Sequence, residues 1–84
     1  MDTQQFSKVV AVLGRGELVV AHTQRSDCLG YYEGYYPKAN VPFIVLAATK
    51  KKNQGRDGEH WYDHTYSVPV ERITALTRLE EKQA

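Results

Sequence analysis

Ser7-Lys8-Val9-Val10-Ala11-Val12-Leu13, then Gly14-Arg15-Gly16, then Glu17-Leu18-Val19-Val20-Ala21-His22-Thr23-Gln24-Arg25: two apolar, valine-rich runs flank a turn bracketed by glycines. β-Branched side chains pack well on a pleated surface and lose rotamer freedom in a helix. Glycine supplies the positive φ of a tight turn without a steric penalty. The stretch predicts an antiparallel hairpin, and with it a chain built mainly of strands.

Working outward, Ser26 to Pro42 carries turn formers and four closely spaced tyrosines, Tyr31, Tyr32, Tyr35 and Tyr36. Tyrosine favours strands, so the middle of this segment is read as extended. Phe43-Ile44-Val45-Leu46-Ala47-Ala48-Thr49 is a third strand, apolar at nearly every position. Lys50 to Glu59 reads as a solvated loop, and Trp61 to Val68 as a fourth strand. Pro69-Val70-Glu71-Arg72 suits a single helical turn, because proline is tolerated where no N–H is needed. Ile73 to Leu79 then alternates as a fifth strand, although Ile73, Leu76 and Leu79 also fit one side of a short helix. Two threonines favour the strand. The first and third strands are apolar on both faces, whereas a sheet with one wet face alternates. In a chain of 84 residues, this predicts a face or an edge covered by another subunit.

These pieces resemble the Sm/LSm family, which includes the bacterial Hfq proteins. Val9 to Val20 is similar to the family's opening hairpin. Phe43 to Thr49 resembles the strand that ends its first motif, and Val68-Pro69-Val70-Glu71-Arg72-Ile73-Thr74-Ala75-Leu76 resembles its second motif, where a tight turn enters the last strand. The resemblance implies a mostly β chain forming a small, strongly bent, five-stranded antiparallel barrel of the Sm and SH3 type. It covers most of residues 8–79 and implies a ring-like homo-oligomer joined through edge strands. Three departures stand out. Only Asp2 to Phe6 is available for the family's N-terminal helix. Pro69-Val70 replaces its Arg-Gly or Lys-His pair. Asp27 and Asn40 lie too far apart for its Asp and Asn without a long insertion. The expected organisation is one domain over 1–84, with a core near 7–79 and a frayed tail.

Net charge is +1, so no whole-chain field attracts nucleic acid and any such binding needs a local patch. Tyr31, Tyr32, Tyr35 and Tyr36 offer flat faces on which bases of single-stranded RNA or nucleotides stack. The bland alternative has them capping the barrel or sitting in a subunit contact. Lys38 and Asn40 follow the tyrosines, and Lys50, Lys51, Lys52 and Arg56 form a basic cluster able to touch phosphates. Alternatively, that cluster only solvates the end of a sticky strand. The leading expectation is thus an RNA- or nucleotide-binding module. The second is a protein-interaction adaptor on the same barrel.

Metal, cofactor and catalytic readings are weaker. His60 and His64 on one strand stand roughly 13 Å apart, too far to share one ion. His22 joins them only by chance of folding. Cys28, the only cysteine, excludes a disulfide within the chain and lacks a motif pairing it with a histidine. No cofactor is expected, nor an enzyme. The opening residues lack a basic, then apolar, leader, and no apolar run is long enough for a membrane span, so the expected location is the cytoplasm.

Overall fold

The computed structural model describes residues 2–52 and 60–79. A helix, α1 (Thr3–Val10), precedes strands β1 (Leu18–Thr23), β2 (Asp27–Tyr36), β3 (Phe43–Lys52) and β4 (His60–Pro69). A short 3-10 turn over Val70–Arg72 leads into β5 (Ile73–Arg78). The strands form one antiparallel sheet in the order β4-β3-β2-β1-β5. β4 and β5 are its two edges, so the sheet is not closed by hydrogen bonds as the barrel expectation required.

The expected first hairpin is overturned. Ser7 to Val10 belong to α1, and Ala11 to Leu13 are not a strand. The helix wins for two reasons. Asp2 caps it, its carboxylate accepting the Gln5 N–H at 2.8 Å. Phe6 and Val10, one helical turn apart, are buried, and Leu13 packs beside them. Gly14-Arg15-Gly16 is therefore the lead-in to β1. There the Gly14 N–H donates to the Glu17 carboxylate at 2.8 Å, and Gly16 takes a φ of 92°. The Gly16 N–H donates to the Tyr32 carbonyl at 2.7 Å, which starts the β1–β2 ladder.

Downstream, the remaining expectations hold with shifted ends. The tyrosine segment is a full strand, the 3-10 turn follows Pro69, and Ile73 to Arg78 is β5. Of the expected loop from Lys50 to Glu59, Lys50 to Lys52 instead continue β3 opposite His60 to Tyr62. Arg56 and the rest of that loop lie outside the described residues.

One face of the sheet and α1 enclose the core of Phe6, Val10, Val19, Ala21, Tyr32, Ile44, Leu46, Val68, Val70 and Ile73. The sheet curls over this core. Tyr66 on β4 reaches past β3 and donates its hydroxyl proton to the Leu29 carbonyl on β2 at 2.7 Å. Gly30 makes room for the crossing. A Cβ there would lie 2.9 Å from the Leu46 Cβ and 3.2 Å from the Tyr66 hydroxyl.

Candidate binding surfaces

β2 carries the four tyrosines, and its pleat divides them. Tyr32 faces Leu46, and Tyr35 faces Ile44, on the core side. A bulge at Glu33 inserts one residue between these pairs, which keeps Tyr32 and Tyr35 on one face although they are three apart. Tyr32 is 8% exposed. Burial raises the pKa of its hydroxyl, with smaller contributions from Tyr35 and Tyr36. Tyr35 packs its ring on Phe6 at 5.3 Å and donates to the Thr3 carbonyl at 3.2 Å. These two side chains, expected in a stacking platform, pack on the core face and against α1.

Tyr31 and Tyr36 alternate to the other face. Lys50 lies over the Tyr31 ring with its Nζ 5.6 Å from the centroid. The same ammonium reaches the Gly16 carbonyl at 3.4 Å. Tyr31 is half-buried, so one edge of a cation–aromatic pair meets solvent. Tyr36 is 51% exposed and stacks on Phe43 of the next strand, with centroids 5.0 Å apart and planes at 21°. The connection between these strands, residues 37–42, carries Lys38 and Asn40, both exposed. The structure thus groups Tyr36, Phe43, Lys38 and Asn40 around one hairpin. It sets Tyr31 and Lys50 apart as a second pair. Phe43 was not picked out by sequence reading. Its signal was the short Pro37–Pro42 connection, which puts the first residue of β3 opposite the last of β2.

Leu29 is 56% exposed on β2 and faces Val20 of β1, so the outward face also carries an apolar row. On that face His22 joins three strands. Its Nδ1 is 2.8 Å from Asp27 Oδ1, and its Nε2 is 2.7 Å from Thr77 Oγ1. A carboxylate, an imidazole and a hydroxyl in line are a familiar catalytic set. Here the three side chains tie β2, β1 and β5 together. His60 and His64 both lie on β4. His64 has a φ of 55°, and its N–H donates to its neighbour Asp63 at 3.0 Å.

Charged groups also converge where the chain enters β1. Glu17 accepts from Arg78 of β5 and from the Gly14 N–H, and both bonds lower its carboxyl pKa, the Arg78 bond first. Arg15 pairs with Glu33 at 2.8 Å. Arg15, Lys50 and Arg78 line a cleft of about 670 Å³ there, but each cation already has a partner. No described helix is long and apolar enough to cross a membrane. Searches against protein families, curated proteins and solved structures find no significant match to the chain.

Proposed function

We propose that the chain is an Sm-like binding module that self-assembles through its sheet edges and binds single-stranded RNA or nucleotides at the β2–β3 hairpin. The observation that carries the ligand side is the exposed Tyr36–Phe43 stack with Lys38 beside it in sequence. An open aromatic face accepts any base, and a neighbouring ammonium draws in the phosphate. Three features support the Sm-like side. α1 stands where that family has its N-terminal helix, a 3-10 turn leads into the last strand, and β4 and β5 end the sheet with one edge each unpaired among the described residues.

Binding of a fluorescent single-stranded RNA tests this reading. Tyr36→Ala should weaken binding by about 1–3 kcal/mol, and Tyr36→Phe should change it little, because the ring face makes the contact. Changing Lys38 should lower the salt dependence without altering sequence preference. If unmodified protein binds no RNA or nucleotide at low salt, the adaptor reading takes its place, with the Leu29 and Val20 row as the contact surface.

A further inference from the structure

Between the turn joining β1 to β2 and the corner joining β4 to β5 lies a cleft of about 440 Å³. That volume is in the range of small-ligand sites. Arg25 of the β1–β2 turn and Arg72 of the β4–β5 corner both line it, together with Cys28, Tyr66 and Val68. Both arginines ride on fixed backbone. Thr23 Oγ1 accepts the Arg25 and Ser26 N–H groups at 3.3 and 3.1 Å and donates to the Ser26 carbonyl at 2.7 Å, locking the first turn. Arg72 sits between buried Val70 and Ile73, and the Val70 N–H donates to the Pro42 carbonyl at 2.9 Å.

Neither guanidinium has an ion pair among the described residues. Glu71 is the one carboxylate lining the cleft, so the walls keep a net positive charge. Tyr66 adds no competing anion. Burial is the main cause that raises its pKa, and its proton is committed to Leu29. A guanidinium's planar fork matches the oxygens of a phosphate. The apolar part of the wall suits the body of the molecule that carries it.

From this geometry we infer that the cleft binds a small organic phosphate of mononucleotide size, its phosphate held between Arg25 and Arg72 and its body against Tyr66 and Val68. The site is separate from the Tyr36–Phe43 stack and does not depend on the RNA reading.

Cys28 is the chain's only cysteine, is half-buried and lines this cleft, so its alkylation reports occupancy directly. The experiment follows the rate of reaction of the whole protein with iodoacetamide against increasing UMP, with uridine as the uncharged control. UMP should slow the reaction to a plateau, and uridine should not. Arg25→Ala and Arg72→Ala, both at exposed positions, should each raise the UMP concentration for half-protection about tenfold. Tyr36→Ala should leave protection intact, so failure of the RNA reading and failure of this one are distinguishable. Three results would each overturn the assignment: no protection by UMP, equal protection by uridine, or protection unchanged in both arginine variants.

Discussion

Glu17 shows how one side chain fastens the entry to β1. Its carboxylate holds Arg78 on the far strand and the Gly14 N–H in the lead-in. Both donors favour the charged form, so its folded pKa lies below its unfolded value. A depressed carboxyl pKa contributes stability above the ordinary carboxylate range, and that contribution is lost as pH falls through the folded value. Glu17→Gln should therefore lower the melting temperature at neutral pH. The difference from the unmodified protein should shrink on acidification, as read by thermal melts across a pH series. An unchanged difference at low pH would mean that shape, not charge, is what Glu17 supplies. The tyrosines make a second point at this scale. That β2 would be a strand was legible from its composition. Which tyrosines face out was not, because the bulge at Glu33 shifts the alternation and leaves no mark in the residue types.

The elements explain what sequence reading lost at the N-terminus. Val9, Val10 and Val12 are strand formers by local preference, and the pattern outvoted an equally present helical one. Asp2 before Thr3-Gln4-Gln5 is a capping residue, and Phe6, Val10 and Leu13 recur at helical spacing. Tertiary burial of Phe6 under Tyr35 decided the outcome. Strand preference is a weak prior against a well-packed aromatic. If α1 is part of the core, Asp2→Ala should cost about 1 kcal/mol through the lost cap. Phe6→Ala should cost about 3–5 kcal/mol through the lost packing. Urea melts check both, and a loss below about 1 kcal/mol for Phe6→Ala would mean that the helix is detached from the sheet in solution. The second half of the chain was legible because its signals agree. Pro69 stops β4, the 3-10 turn needs no N–H from it, and Ile73 restarts a strand whose first side chain is buried.

Across the described residues the molecule is a curled sheet with α1 closing one side of the core and an edge left unpaired at β4 and at β5. The expectation of a mostly β chain with a five-stranded antiparallel sheet holds, while closure by hydrogen bonds is absent among the described residues. If the edges pair between copies, the protein should run in size exclusion with light scattering at a multiple of 9.6 kDa. Its melting temperature should also rise with concentration, since association stabilises the folded state by mass action. A concentration-independent monomer would show that the edges stay solvated.

The strand order also has a consequence for how the chain is made. β1 is flanked by β2, its immediate neighbour in sequence, and by β5, the last strand, with Val20 beside Thr77. During vectorial synthesis β1, β2, β3 and β4 can form as successive local hairpins. The outer side of β1 stays bare until Ile73 to Arg78 leave the ribosome. A nascent chain stalled before Ile73 exposes a row of unpaired amides and carbonyls beside Val19 and Ala21, whose side chains are buried in the finished fold. Such an edge is a template for another chain. Arrest upstream of β5 should thus give aggregates, and β5 offered in trans as a peptide should suppress them.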